Sequence, residues 1–574
     1  MTSLRAHVDG LATDVRLPDG PGPFPAVLVR TPYDRTRHRA EAHGWARRGF
    51  AAVVQDVRGR FASAGEWRPY ENEAADGTAT ARWLRRQPWS DGRYVAVGSS
   101  YGAHCALVLA LEADREARPD AVVAAVPALG AAETAREPSG TERLLSRAGW
   151  WAAHGDRRDS DEGALGAALA ADPGLLAHLP LTGLPDRLGR SLPSWAGLWR
   201  HHERGRLAAR AVDAGMPLLA VGGHHDHFTE ETVALWRTWG GPSARLLLGP
   251  WGHGLTSVPG SDAGPAHRVD LGDLYVRWAH RALTGGLAPG RRGALALGGG
   301  DLWLPADTEG EPRTYGQRRA DGEPSAYGQR WTDGEPPAYG RPWAGAEPRT
   351  HGQRRADGEP STSGRPWAGA EPRTHGRRRT GGEPHAYGLR LLRGSVFTAD
   401  PDRPVRSDDL AVPADGEPDR CLLGTSPLPR PLDVVGPVRV GLRATADTPS
   451  ADWIARLVAL APEGTAERLA VGVLRRERRV DRVDRADRAD RAEEFTIDLG
   501  RIARRLRAGV RLRLEIAGHH FPAHARNPHT GDDPVTARRL LPSRREVDPE
   551  GVTLTLHVLA SRPAPTDPSQ EIPR

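Results

Sequence analysis

The sequence predicts an α/β domain interrupted by a helical insertion, then a low-complexity insert, then an all-β domain. Three observations point there. Short apolar runs alternate with helical stretches up to about Pro305. A 12-residue unit then repeats in tandem with almost no aliphatic residue. From about residue 390 onward, apolar and polar residues alternate with period two.

Pro25–Arg30 and Phe50–Val57 are apolar runs of strand length, and the helical stretch Arg37–Arg48 between them stops at Gly49. Glu71–Arg86 is a second helix, followed by Pro88, and Arg93–Gly98 and Ala121–Val126 are further strands. Runs that are apolar throughout suit a parallel sheet covered by helices on both faces. Residues 131–210 are rich in Ala, Leu and Arg, carry Trp150, Trp151, Trp195 and Trp199, and contain no strand pattern. Strands return at Met216–Val221 and Ala244–Leu248, with a helix around Thr232–Trp239 and a last one at Leu271–Leu283. The expected α/β domain is therefore 1–130 with 211–305, and 131–210 is its helical insertion.

Residues 306–389 hold the repeat, with copies beginning at Gly310, Gly322, Gly334, Ala346, Gly358, Ala370 and Gly382. The unit lacks the apolar face that a solenoid needs for stacking. Its composition predicts disorder; the alternative is a binding array made from its Trp and Tyr. Over 390–565, Val438, Val440 and Leu442 alternate with polar residues, as do Val510, Leu512, Leu514 and Ile516, and Val552, Leu554, Leu556 and Val558. Half-buried antiparallel strands give this pattern, and a β-sandwich or jelly roll is the simplest closure. The charge run Val480–Ala492 reads as a solvated loop.

Composition excludes several classes. At 574 residues the chain holds several domains. It contains no lysine, and its arginines are interspersed with acids to a net charge of +6. No basic patch suggests nucleic-acid binding. The two cysteines, Cys105 and Cys421, exclude a disulfide scaffold and fit a cytoplasmic protein. The N-terminal stretch lacks the apolar core of a secretory signal, and no apolar window is long enough for a membrane span.

The strongest chemical signal is Gly98-Ser99-Ser100-Tyr101-Gly102, after a strand and before a small-residue helix. This is the G-x-S-x-G elbow, in which a serine is exposed at a sharp strand-to-helix turn. The N–H of Tyr101 then faces a developing oxyanion. A nucleophilic serine needs a base, and the base an orienting acid, which in an α/β-hydrolase follow on loops after later strands. Gly222-Gly223-His224-His225-Asp226-His227 follows one strand and Gly249-Pro250-Trp251-Gly252-His253-Gly254 the next. Asp226 and His253 stand there in the required order. A metal site in the His224–His227 cluster is a rival, weakened because consecutive residues on a short loop point apart.

The chain resembles the CocE/NonD hydrolases, the family of bacterial cocaine esterase, α-amino acid ester hydrolases and X-Pro dipeptidyl-peptidases. The resemblance starts near Val8 and runs through Asp56–Arg60, the serine elbow and the two loops. It resumes at Leu423–Val440 and Phe521–Gly531, and only the repeat has no counterpart. It implies an α/β-hydrolase domain, a helical cap and a C-terminal jelly roll. Ser100, Asp226 and His253 match the family triad. Tyr33, in Arg30-Thr31-Pro32-Tyr33-Asp34, matches the tyrosine whose hydroxyl completes the oxyanion hole with the Tyr101 N–H. Family members often carry Trp-Tyr before the catalytic Asp, where this chain has His224-His225.

The expected protein is a cytoplasmic acyl hydrolase acting on a small ester or amide. It uses no cofactor or metal and binds neither nucleic acid nor membrane. His225, Trp150 and Trp151 are candidates to border the substrate pocket, with a plain core role as the alternative for the tryptophans. The rivals are an X-Pro dipeptidyl-peptidase, which needs an acidic anchor for the substrate amine, a metal-dependent hydrolase, and a non-catalytic repeat protein.

Overall fold

The apolar runs become adjacent strands of one sheet. The computed structural model describes residues 1–316, 388–477 and 492–574. Its N-terminal strands are β1 (Ser3–Val8), β2 (Leu11–Arg16), β3 (Phe24–Thr31), β4 (Ala51–Asp56), β5 (Ser90–Ser99), β6 (Ala121–Ala125), β7 (Leu218–Gly223) and β8 (Ser243–Gly249). β9 (Trp251–Gly252) and β10 (Leu255–Pro259) form a small ribbon, and β11 (Gly290–Leu297) and β12 (Leu302–Pro305) rejoin the main sheet. The order across ten strands is β1-β2-β4-β3-β5-β6-β7-β8-β11-β12. From β4 to β11 every neighbour is parallel, and antiparallel pairs close both edges.

Successive residues of each parallel strand enter opposite cores, because strand side chains alternate in direction. Ala26 and Leu28 pack on one face with Leu107 and Leu109 of the helix Tyr101–Glu112, whereas Val27 and Val29 pack on the other with Trp45, Leu274 and Trp278. The helices are α1 (Arg39–Ala46), α2 (Glu73–Arg85) and α3 (Tyr101–Glu112), with Thr229–Thr238 and Leu271–Leu283 later. Two extensions were not anticipated. The β1–β2 hairpin lies at an edge where β1 is mostly exposed, so it lacks a continuous apolar run. β11 and β12 continue the sheet beyond Leu283, where the sequence pattern ended on a helix.

Between β6 and β7 the chain is helical, beginning with α4 (Ala131–Ala135) and α5 (Leu144–His154). Leu144, Trp151, Trp195 and Trp199 make a separate core there, joined by Phe521, Ala525 and Val535 from the C-terminal part.

The C-terminal part is all β. Its strands are β13 (Glu311–Gly316), β14 (Arg390–Arg393), β15 (Val396–Ala399), β16 (Arg420–Gly424), β17 (Leu432–Ala446), β18 (Ser450–Leu460), β19 (Ala466–Glu477), β20 (Glu493–Leu506), β21 (Arg511–Ala517), β22 (Ser543–Val547) and β23 (Thr553–Val558). They form two antiparallel sheets, β13-β23-β17-β22-β15 with β20 also on β17, and β14-β16-β21-β18-β19. The alternating residues Val440, Leu514 and Leu556 meet between the sheets. The chain end returns to the α/β part, where Ile572 enters the core beside Leu274.

The repeat boundary needs correction. The composition predicts disorder over 306–389, yet Glu311–Gly316 of the first copy pairs with β23 and Tyr315 is buried. Pairing with a formed sheet edge supplies the order that its own composition does not. The remainder, 317–387, and nearly all of the charge run, 478–491, lie outside the described residues. Among the described residues no helix is long and apolar enough to cross a membrane.

Candidate active site

Ser100 joins β5 to α3 with φ 56° and ψ −117°, a conformation that L-residues rarely adopt. Glycine makes the turn possible, since a Cβ on Gly98 would lie 2.1 Å from the Gly102 carbonyl. The Ser100 N–H donates to the Ala125 carbonyl (2.9 Å), and the Ser100 carbonyl accepts from the Ala128 N–H (3.2 Å). Both bonds pin the turn to the end of β6. Because α3 begins at Tyr101, its first N–H groups have no intrahelical acceptor beside the serine. The Tyr101 side chain turns away, with its hydroxyl donating to buried Glu73 and accepting from the Tyr70 N–H.

Two strand ends bring Asp226 and His253 to the serine. Their loops are laced by backbone bonds from the His224 N–H to the Gly249 carbonyl (2.8 Å) and from the His225 N–H to the Trp251 carbonyl (2.9 Å). The Ser100 hydroxyl donates to His253 Nε2 (2.9 Å), and the opposite Nδ1–H donates to Asp226 Oδ1 (2.8 Å). The Asp226 side chain is fully buried. Burial would raise its pKa, but the His253 bond and the adjacent imidazoles outweigh this and hold it below the ordinary carboxylate range. His227 stacks on His253 with ring centroids 4.9 Å apart. Burial pushes the His227 pKa down to about 3, so its ring is neutral.

Tyr33 reaches the same point from the end of β3. Its hydroxyl lies within reach of Ser100 and accepts from Trp150 Nε1–H (3.1 Å). Burial raises its pKa, which keeps the phenol protonated. Trp150 lines two cavities that both open on Ser100 and His253, one of ≈ 1100 Å³ and one of ≈ 420 Å³.

Two expected pocket residues lie elsewhere. Trp151 packs in the core of the helical segment and donates from Nε1 to Ser194 Oγ (2.8 Å). Neighbours on a helix point about 100° apart, so Trp150 and Trp151 do not share a face. His225 is turned to Asp262, with Nε2 at 2.6 Å from the carboxylate, and borders neither cavity. Arg147, Tyr70 and Phe228, which no motif of the sequence marks, line the smaller cavity, as does His227, which the sequence marks only as a candidate metal ligand. Helical spacing from Trp150 points to Arg147 and His154, three residues before and four after.

The proposed metal cluster divides. His224 Nε2 bonds the Ala296 carbonyl (3.0 Å) and His225 bonds Asp262, so neither converges on Asp226. Among the described residues, one group of three donors lies within 4.8 Å: Asp226, His227 and His253. These include the atoms already hydrogen-bonded toward Ser100.

Comparison with known proteins places the chain. Residues 8–255 match the model of X-Pro dipeptidyl-peptidase (S15 family), and 317–560 match that of the X-Pro dipeptidyl-peptidase C-terminal non-catalytic domain. The chain is 26% identical over 593 aligned residues to the cocaine esterase of Rhodococcus sp. (strain MB1 Bresler), covering 92% of each. An aminopeptidase from a marine-sediment Thaumarchaeota archaeon shares its fold at TM-score 0.67 and 18% identity, over 97% of this chain and 96% of that one. An α-amino acid ester hydrolase matches with the same score, identity and coverage. A CocE/NonD family hydrolase from Staphylococcus aureus matches at TM-score 0.54 and 12% identity, over 97% and 93%. With a catalytic and a C-terminal family model matched in order, and a curated relative aligned over both, the chain belongs to the CocE/NonD family of serine hydrolases.

Proposed function

We propose that the chain hydrolyses an ester or amide of a small molecule through an acyl-enzyme on Ser100. The reading rests on the unbroken hydrogen-bond chain from Ser100 Oγ through both His253 nitrogens to Asp226, opening on two cavities. Ser100 Oγ attacks the carbonyl carbon as its proton passes to His253 Nε2. Asp226 holds the ring and stabilises the imidazolium. The Tyr33 hydroxyl and the Tyr101 N–H receive the oxyanion. His253 then gives the proton to the leaving group, and water releases the acyl group by the same route. These steps need no cofactor.

In this reading 1–130 with 211–305 is an α/β-hydrolase domain, and 131–210 is a cap over the site. The C-terminal part is a jelly roll that braces the cap, a role supported by its residues in the cap's core. Two free, buried cysteines fit a reducing cytoplasm.

Ser100→Ala should abolish turnover of 4-nitrophenyl esters with the melting temperature retained. A fluorophosphonate should label Ser100, read by peptide mass mapping. Normal turnover by the variant, or a label elsewhere, overturns the mechanism. Assaying X-Pro anilides beside aryl esters separates peptidase from esterase.

A further inference from the structure

Arg147 is a buried charge that the hydrolytic steps do not use. It lies on α5 one turn before Trp150 and lines the smaller cavity together with Ser100, His253 and Tyr70. It is 5% exposed, yet no carboxylate of the described residues stands within ion-pair distance of it. Arg143, one turn earlier on the chain, pairs instead with Glu137 and Glu231. Buried Arg60 and Arg245, which also lack an acid, donate terminal N–H groups to backbone carbonyls, whereas among the described residues no such bond is made by the Arg147 guanidinium. Arg147 Nε has no hydrogen-bond partner, and its guanidinium is in reach of the Tyr70 hydroxyl.

The acids at or near this cavity do not supply the missing charge. Glu162, the one acid in its lining, is exposed and paired with Arg37, and Asp226, which lies outside the lining, is engaged by His253 and His227. An unpaired guanidinium in a buried site is strongly unfavourable. An anionic ligand offsets that cost, because a guanidinium offers a carboxylate two parallel N–H donors and the pair is strong where water is scarce.

We propose that the smaller cavity binds a carboxylate carried by the substrate, so that the ester or amide cleaved at Ser100 is anionic on its acyl or leaving-group side. Arg147 pairs with that carboxylate, and the Tyr70 hydroxyl is a second donor. The same charge disfavours a substrate whose α-amine would enter this cavity. The inference rests on the Ser100 reading.

Two substrate pairs test it. The acyl arm compares mono(4-nitrophenyl) glutarate with 4-nitrophenyl pentanoate; the leaving-group arm compares 3-acetoxybenzoate with 3-methylphenyl acetate. In the native enzyme one arm should favour the anion in kcat/KM by about tenfold or more, the effect of one charged hydrogen bond. Arg147→Met should collapse that ratio toward one, and Arg147→Lys should keep part of it. Both members of a pair are read on the same variant, so a merely structural loss lowers both and leaves the ratio. Should Arg147→Met not fold, inhibition of the native enzyme by glutarate or 3-hydroxybenzoate against their primary amides decides, with the acid expected to bind more tightly. Equal rates in both arms, an unchanged ratio in Arg147→Met, or equal inhibition by acid and amide overturns the proposal. Failure of the underlying mechanism looks different: no ester of either charge is turned over, and Ser100 takes no label.

Discussion

Gly223 and Trp251 meet so closely that a Cβ on the glycine would lie 2.1 Å from the tryptophan carbonyl oxygen. The contact holds the loop after β7 against the loop after β8, and these loops carry Asp226 and His253. Gly223→Ala must force them apart. Overpacking of this kind costs ~1–3 kcal/mol of stability, and a displacement of about 1 Å at a reacting group lowers kcat roughly 10²-fold. Thermal melting and ester kinetics read the two effects separately. A lower melting temperature with normal kcat would mean that the Asp226–His253 bond does not depend on this contact.

The Trp150 indole can only donate, so its bond to the Tyr33 oxygen leaves the phenolic proton free to point toward Ser100. Tyr33→Phe should lower kcat by about 10²-fold or more with little change in KM, as for loss of one oxyanion donor. Trp150→Phe keeps the Tyr33 hydroxyl but removes its orienting donor and reshapes the lining of both cavities, so its kcat loss should be clearly smaller and its KM should shift as well. An unchanged kcat in Tyr33→Phe would reduce Tyr33 to a turn residue.

The elbow was legible because a close-packed turn demands glycine on both sides of the serine, and strand and helix flank it in the same few residues. The loops of Asp226 and His253 were legible because each follows an apolar strand. Tyr70 and Phe228 gain their place only from packing, whereas Arg147 lies one helical turn from Trp150 and His227 is next to Asp226 in the sequence. Trp150 and Trp151 were indistinguishable until the phase of α5 against Tyr33 was known. The strand at Glu311–Gly316 was hidden for another reason. Its partner, Thr553–Val558, is remote in sequence, and the local composition argues against a strand.

Asp226 is held below the ordinary carboxylate range and His227 is pushed down to about 3. Neither therefore changes charge over roughly pH 5–8, so neither adds a limb to the pH profile there. kcat/KM should rise with pH along a single-ionisation limb, because His253 accepts a proton only when neutral. EDTA should leave the rate unchanged. Activity lost to a chelator and restored by zinc would assign the grouped donors of Asp226, His227 and His253 to a metal instead.

Arg475 on β19 ties the C-terminal part to the helical segment. Its guanidinium donates to Glu142 (3.0 Å), which is fully buried in that segment, and to Asp452 on β18 (2.7 Å). Arg475→Met leaves Asp452 without its counter-charge and Glu142 with Arg136 alone, and breaking a buried pair from one side costs ~3–5 kcal/mol. The variant should melt well below the native protein. A melting temperature within a degree of native would show that the carboxylates find other partners or take up protons at little cost.

Gly316 and Gly388 end the two described segments that flank the repeat, and a Cβ on Gly388 would lie 3.6 Å from the Gly316 carbonyl oxygen. The chain thus leaves β13 and returns toward β14 at nearly one point. Deleting 317–388 removes 72 residues, six periods of 12, and joins Gly316 to Leu389. Both flanking strands keep their residues, so melting temperature and kcat/KM should stay near native values. Deleting from Gly310 instead removes β13, uncovers the edge of β23 and takes away buried Tyr315. Loss of a paired edge strand exposes unsatisfied backbone groups and a site for intermolecular pairing. This longer deletion should melt earlier and aggregate on size-exclusion chromatography. Equal behaviour of the two variants would mean that β13 contributes nothing to the sheet, and loss of activity in the shorter one would assign the repeat a part in the site.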